Sequence, residues 1–470
     1  MNILAIDQGT SATKALLVGD GGQVLAAAEV PVRTHAVGDG GVEADPEELW
    51  GSVEAAGARA LASARAPAHA VALANQGETV LAWDPATGKP LSRAIVWQDR
   101  RAADVCARLA DRAGELRDVT GLPLDPYFAA PKMAWLREHV TRDGVVTTTD
   151  TWLLRRLGAR YVTDAATASR TMLLDLDTAN WSVPACAAFG IAPESLPEVA
   201  DCDAVAGETT VFGGRPLPVA GLAVDQQAAL FAQGCRAAGD AKCTYGTGAF
   251  LLAATGTTAA RSSAGLSASV AWRLDGSASY CLDGQVYTAG SALRWLTDTG
   301  ILAAPGELDA VAATAPDSGG VVFVPALAGL GAPYWAPDAH GVLTGLRMST
   351  GRGHIARAAA EGIAASVALL AQAVTADIGA PLTALRVDGG LTRSRVLLQA
   401  QADLLQVPVL LSPTPHATAL GVAALARLGL GETEPAGIAG AEVTVEPAIS
   451  KDRAAERMRA FTIALRASLP

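Results

Sequence analysis

"NILAIDQGTSATKALLV", residues 2 to 18, decides how this chain is read. An apolar run, Ile3 to Ile6, delivers one carboxylate, Asp7; Gln8, Gly9, Thr10 and Ser11 follow, then a second apolar run, Ala15 to Val18. That order predicts a strand, a tight turn and a returning strand, with the polar cluster at the turn. "GDAKCTYGTGAFLLAATG", residues 239 to 256, repeats the logic: Lys242 to Tyr245 lead into Gly246, Thr247 and Gly248, then into apolar Ala249 to Ala254. Gly9 and Gly246 lie 237 residues apart in a chain of 470, so each half begins with a hairpin whose turn carries Gly and Thr. Glycine lets backbone approach a ligand closely, and turn N–H groups and Thr hydroxyls donate to anionic oxygens. Taken singly, either turn is also an ordinary hairpin. Facing each other across a cleft, the two would grip a polyphosphate from both sides.

A chain of 470 residues is too long for one core, which predicts two domains, with the boundary softest between Gln233 and Asp240. The net charge of −11 argues against a nucleic-acid partner. Met1 leads almost at once into the first strand, leaving no room for a signal peptide. The longest weakly polar stretch, Gly362 to Ala376, is too short to span a bilayer, so the expectation is a cytoplasmic chain with no membrane contact. Six cysteines (106, 186, 202, 235, 243 and 281) form no C-x-x-C pair and read as buried thiols, not metal ligands. Asn180-Trp181-Ser182 matches a glycosylation sequon, an accident in such a compartment. A P-loop is disfavoured because the one Gly-Lys pair, Gly88-Lys89, is followed by Pro90, and no G-x-G-x-x-G follows a strand.

Between the two turns, helical and strand patterns alternate. Pro46 to Arg65 reads as a helix with Asp45 as its cap; Val71 to Ala74 and Leu217 to Ala223 read as strands ending in polar clusters. In the second half Val321 to Pro325 and Leu385 to Val387 read as strands and His354 to Ala376 as a long helix. Strand ends are where α/β proteins put their ligands. Asp225, after one such strand, is placed to take a proton from a hydroxyl, or else to cap the helix it precedes. Glu78 follows another strand and reads as a partner for sugar hydroxyls or as a solvated loop acid; Trp97 reads as a sugar-facing ring or a core residue. Tyr127, with Lys132 in a loop before a helix, reads as a hydroxyl donor or a structural residue, and Asp388-Gly389-Gly390 as a turn of bare backbone for a base or phosphate.

"AIDQGTSATKAL", "TGKPLSRAIVWQDRR", "DPYFAAPKMAWL", "VTDAATASRTML", "GLAVDQQAALFAQG", "YGTGAFLL", "GLGAPYWAPDAHG" and "RVDGGLT" occur in this order from Asn2 to about Leu425. As a set they resemble the FGGY carbohydrate kinases, and among these the glycerol kinases. The resemblance implies an α/β fold of two actin-like (ribonuclease H-like) domains with a catalytic cleft between them. Residues 1–237 would carry the substrate and Mg²⁺ site and residues 238–470 the nucleotide site. It implies that Asp7 helps hold Mg²⁺ through its water shell, that Gly9, Thr10, Ser11 and Lys14 sit near the transferred phosphate, and that Asp225 is the general base with Gln226 beside it on the substrate. It further implies that Thr247 approaches the terminal phosphates of ATP and Phe250 the carbon chain of a polyol. Gly290, Arg294, Gly390 and Ser394 match nucleotide-lining positions, and Glu78, Trp97 and Tyr127 match the substrate pocket.

One departure bears on the substrate. Glycerol kinases carry arginine immediately before the pocket glutamate, and this chain reads Gln76-Gly77-Glu78-Thr79. The missing guanidinium removes a fork of donors and is expected to leave space in its place, which favours a longer polyol or small sugar over glycerol. Arg294 and Ser394 stand where glycerol kinases usually carry amides. The reaction expected is transfer of the γ-phosphate of ATP to a terminal hydroxyl. Two rivals are a ketose kinase of the same family, of the xylulose or ribulose type, and a non-catalytic actin-like sugar sensor. The oligomeric state stays open, a homodimer included.

Overall fold

The opening stretch forms the hairpin that its pattern predicts. In the computed structural model, which describes residues 1–38, 40–433, 438 and 440–470, β1 (Ile3–Gln8) and β2 (Ala12–Val18) pair antiparallel with Asp7 opposite Lys14. β3 (Val24–Pro31) extends the meander, while β4 (Ala70–Asn75) and β6 (Leu217–Val224) run in parallel on the other side of β1. β5 (Val205–Thr209) closes the edge, giving the order β5-β6-β4-β1-β2-β3. All six residues of β4 are buried, because helices cover both faces of the sheet. Alternate residues go to opposite sides: Leu4, Ile6 and Leu73 toward α1 (Pro46–Ser63), and Ile3, Ala5 and Ala72 toward the other face. Asp45 caps α1, accepting from Glu47 N–H at 2.9 Å, and Pro46 takes the first helical position. The helix stops at Ser63, two residues earlier than its pattern predicts, as the chain turns extended ahead of Pro67.

The second half repeats the plan. β7 (Ala241–Tyr245) and β8 (Ala249–Gly256) form the second hairpin, joined by β9 (Ser267–Leu274), β10 (Ser277–Val286), β11 (Leu385–Asp388), β12 (Val409–Leu411) and β13 (Val443–Val445) in the order β9-β10-β8-β7-β11-β12-β13. The run β3-β2-β1-β4-β6 of the first sheet matches β10-β8-β7-β11-β12 of the second, with a hairpin and two parallel strands at the centre of each. The half-chain repeat in the sequence is thus a repeat of topology. The strand expected at 321–325 appears as Val322–Val324.

Five further helices position the site: α2 (Ala165–Ser169), α3 (Asp225–Ala232), α4 (Gly290–Asp298), α5 (Arg352–Ile378) and α6 (Arg395–Leu405). The weakly polar stretch 362–376 lies inside the 27-residue α5, which is long and apolar enough to cross a membrane by composition alone. It is a core helix of the second domain, with 72% of its apolar window buried in the protein. α7 (Ala417–Gly429), late in the chain, crosses back to pack on α3 and on β6, β4 and β1 of the first sheet. Gly421 permits that approach: a Cβ there would lie 1.9 Å from the Ala228 carbonyl oxygen. All six cysteines are buried and unpaired.

Candidate active site

Parallel pairing brings the carboxyl ends of β1, β4 and β6 to one level, with Gln8 beside Asn75 and Asn75 beside Val224. Asp225 therefore emerges into a cleft of about 380 Å³ that the second hairpin closes from the other side, with Asp7 close enough on β1 to feel its charge. Asp7 is half-buried, and its pKa is raised to about 7, first by desolvation and then by the Asp225 charge, against the pull of Lys14. Asp225 is the first residue of α3, not its cap; its carboxylate accepts from Gln226 N–H at 2.7 Å and otherwise faces the cleft. Burial raises its pKa too, opposed mainly by Lys242. Lys242 has no solvent exposure; its Nζ donates to Gln226 Oε1 at 2.6 Å and to Thr244 Oγ1 at 2.9 Å, so it orients the residue beside Asp225. Sequence reading passed over this lysine, although a charge inside the apolar strand Ala241–Tyr245 was the signal.

The acceptor side of the cleft is walled by aromatic rings. Trp97 meets Tyr127 edge-on at 5.7 Å and Phe250 at 5.9 Å. Trp97 Nε1 donates to Thr10 Oγ1 at 2.9 Å, and Thr10 donates to Gln76 Oε1 at 3.1 Å. The Thr10 hydroxyl is thus spent on framing this wall, while Ser11 stays exposed at the cleft. Lys132 lies in a helix (Ala129–His139), fully buried, and donates to the carbonyls of Pro126 and Phe128 at 2.8 and 2.6 Å, which fixes the loop carrying Tyr127. The Tyr127 hydroxyl bonds nothing among the described residues.

Glu78 sits at the centre of a three-residue turn closed by Thr79 N–H on the Gly77 carbonyl at 2.8 Å, with φ at +59°. A non-glycine residue in that region is strained, and such strain gathers where a side chain must be aimed. Arg170, just past α2, holds Glu78 Oε1 at 2.6 Å and Asp283 Oδ1, from β10, at 2.6 Å. One guanidinium shared by two buried acids leaves both carboxyls raised, burial outweighing its pull. Neither Arg170 nor Asp283 was singled out in the sequence. Gly77 lines the cleft, and a Cβ at 77 would lie 2.9 Å from Val224 Cγ2, because β4 and β6 are neighbours, so a side chain there needs the Val224 methyl to shift.

The two Gly/Thr turns face the same cleft. Gly9 N–H closes the first turn on the Ala12 carbonyl at 3.1 Å. Gly246, Thr247 and Gly248 line the cleft from the second, and Gly290 N–H donates to the Gly246 carbonyl at 3.0 Å, so the start of α4 braces that turn. Arg294, exposed on α4, reaches the same cleft. A larger cavity of about 850 Å³ opens beyond β11, lined by Gly389, Gly390, Thr392, Pro413 and Thr414. Gly389 has φ +97°, and a Cβ on it would lie 2.3 Å from the Tyr245 carbonyl oxygen. Ser394 does not line this cavity; its hydroxyl caps α6 on Leu397 N–H at 3.1 Å and donates to Asp309.

Residues 2–232 match the model of the FGGY family of carbohydrate kinases, N-terminal domain, and residues 241–430 match that of the C-terminal domain. The chain belongs to the FGGY carbohydrate kinases. It is 44% identical to the glycerol kinase of Alkalilimnicola ehrlichii over 484 residues, covering 99% of this chain and 97% of that one. It is 45% identical to that of Thermus brockianus, covering 91% and 90%. In structure it is similar to Plasmodium falciparum glycerol kinase with ADP, at a TM-score of 0.93 and 29% identity over 100% and 98% of the two chains. It is also similar to a xylulose kinase from Rhodospirillum rubrum, at 0.86 and 26% over 99% of each. The FGGY kinase fold here is thus the expected pair of actin-like α/β domains. The chain is a glycerol kinase-like, ATP-dependent phosphotransferase with an alcohol group as acceptor.

Proposed function

We propose that this FGGY kinase phosphorylates a terminal hydroxyl of a polyol with Asp225 as the general base. The observation that carries the reading is the free face of Asp225. It is a carboxylate of raised pKa at the cleft mouth, between the aromatic wall and the two turns, with only Gln226 donating to it. Asp225 takes the hydroxyl proton as the oxygen attacks the γ-phosphorus, and the bond to the β,γ-bridging oxygen breaks, leaving ADP. Glu78, Gln226 and Tyr127 hold the acceptor's hydroxyls, and Trp97 and Phe250 bound its carbon chain. Lys14, Ser11, Gly9 and Thr247 face the phosphates, with Thr10 acting through its bonds to Trp97 and Gln76. Arg294 and Gly390 border the nucleotide path, Gly290 braces the second turn beside it, and Ser394 fixes the α6 end. Residues 1–237 then supply the acceptor and metal side and 238–470 the nucleotide side, with α7 returning to the first sheet.

No group of three or more His, Cys, Asp or Glu side chains able to hold a metal occurs among the described residues. A single crowded carboxylate, Asp7, fits a Mg²⁺ ion held chiefly by phosphate oxygens and water, since a cation would relieve its raised pKa. Bound there, Mg²⁺ would supply charge neutralisation on the phosphoryl oxygens. The net charge of −11 argues against a nucleic-acid partner, whose phosphates would be repelled. The test is ADP release with ATP and Mg²⁺ over three- to six-carbon polyols and ketoses. Turnover on polyols is expected; release confined to ketoses would replace this reading with that of a ketose kinase.

A further inference from the structure

Glu78, Arg170 and Asp283 all line the catalytic cleft. The guanidinium spends Nε on Glu78 Oε1 and Nη1 on Asp283 Oδ1, each at 2.6 Å. Arg170 Nη2, Glu78 Oε2 and Asp283 Oδ2 bond nothing among the described residues, and none of the three is sealed from solvent. The Glu78 and Asp283 side chains keep 6% and 8% of their surface, and the cleft is where it opens. Across the antiparallel pair β8/β10, Asp283 lies directly opposite Leu252, which also lines the cleft. Along β8 the turn Gly246–Gly248 comes first, then Phe250, then Leu252, so Asp283 lies farther than the Phe250 ring from the turn assigned to the phosphates. One guanidinium thus fixes two acids at the acceptor end, each with an oxygen left for the cleft. An ionised carboxylate only accepts and a guanidinium only donates, so the trio offers two acceptors and one donor. Hydroxyls, which both donate and accept, match that set. A carboxylate on the acceptor would instead meet two acids and a guanidinium already held by both.

We infer that Asp283 is an acceptor-binding residue: its open Oδ2 takes a hydrogen bond from a hydroxyl other than the reacting one while Glu78 holds another, so that the substrate class is a neutral polyhydroxy compound and not a sugar acid. The inference rests on the kinase reading above, in which Asp225 marks the reacting hydroxyl. The competing role for Asp283 is structural, holding Arg170 across the two domains with water on its open oxygen.

In the full-length enzyme, kcat/KM is measured by ADP release with glycerol, erythritol, ribitol, xylulose and gluconate. The best acceptor is then compared with its monodeoxy analogues, which for glycerol are propane-1,2-diol and propane-1,3-diol. One analogue should fall about a hundredfold or more below its parent, because a site built to bond a hydroxyl rejects the analogue that lacks it. Asp283→Ala should shrink that gap about tenfold or more and leave the gaps of the other analogues unchanged, the coupling expected of a direct contact. Should that variant not fold, Asp283→Asn reads the same gap: its amide oxygen has to face Arg170, which leaves an N–H donor where the acceptor was. A merely structural Asp283 would lower kcat/KM on parent and analogues alike. That equal loss, the absence of any gap in the unmodified enzyme, or gluconate as the best acceptor overturns the inference. ADP release from none of the acceptors tested overturns the kinase reading instead.

Discussion

Asp7 on β1 and Asp225 just past β6 lie on either side of β4, and the Asp225 charge adds to burial in raising the cost of ionising Asp7. Asp7 has an ordinary pKa of 3.8 and a folded value of about 7. An acid raised in this way holds its proton more tightly when folded, so ionising it destabilises the native state as pH rises from 3.8, fully above about 7. Asp7→Asn removes that penalty. Without Mg²⁺ and nucleotide, the variant should melt above the unmodified protein at pH 8 and level with it at pH 4; an equal difference at both pH values would discard the assignment. Asp225 has to be ionised to accept a proton, and burial raises its pKa, so the acidic limb of kcat/KM should lie above the ordinary carboxylate range. Asp225→Asn should lower kcat by about 10²–10⁴-fold while ATP still binds, measured by steady-state kinetics and calorimetry. Both acids were legible in the sequence, because a carboxylate closing an apolar strand is a local signal. Thr10 and Ser394 were legible only as site positions. What their hydroxyls bond (Trp97 and Gln76 for one, Asp309 for the other) depends on residues far away in the chain.

At the scale of elements, the turn that follows β4 carries the question of the acceptor. Its sequence showed that an arginine is missing, but not that Val224 at the end of β6 crowds the Cβ of any side chain at 77, since that contact depends on the pairing of Val224 with Asn75. Gly77→Arg alone therefore does not simply restore a donor fork. Its Cβ overlaps a stiff β-branched methyl, and relief by moving the turn would displace Glu78, already held at φ +59°. Overpacking of this kind costs roughly 1–3 kcal/mol, to be read in urea unfolding, with kcat/KM reduced on every acceptor. Pairing it with Val224→Gly frees the volume, and the double variant should regain stability and shift preference toward glycerol. If the single variant already turns glycerol over faster than the unmodified enzyme, Val224 is not the obstacle. The helices were read well where a cap or a proline marks the end, as at Asp45 and Pro67, and α5 was read nearly to its bounds from its apolar run.

The duplication of the whole molecule was legible because two short turns, each a few residues long, announce it. What joins the halves was not. Arg170 reaches Glu78 across 92 residues of sequence and Asp283 across 113, and no local pattern marks a guanidinium as the bridge. Arg170 and Glu78 belong to the first half and Asp283 to the second, so this buried cluster is both a floor of the cleft and a tie between the domains. Removing the cation leaves two buried acids unpaired. Arg170→Met should cost about 3–5 kcal/mol at pH 8, the range for breaking one side of a buried ion pair. Both carboxyls are already raised by burial, and losing the guanidinium raises them further, so they take up protons readily as pH falls. Folded-state pKa values above the unfolded ones make the penalty appear as the acids ionise, hence it should be largest at pH 8 and shrink toward pH 5. Arg170→Lys, which keeps the charge but not the two-armed geometry, should fall between. Urea unfolding of the three proteins at both pH values is the check. A deficit of equal size at pH 5 and pH 8 would mean that Arg170 stabilises the domain interface by packing alone, and the electrostatic tie would be abandoned.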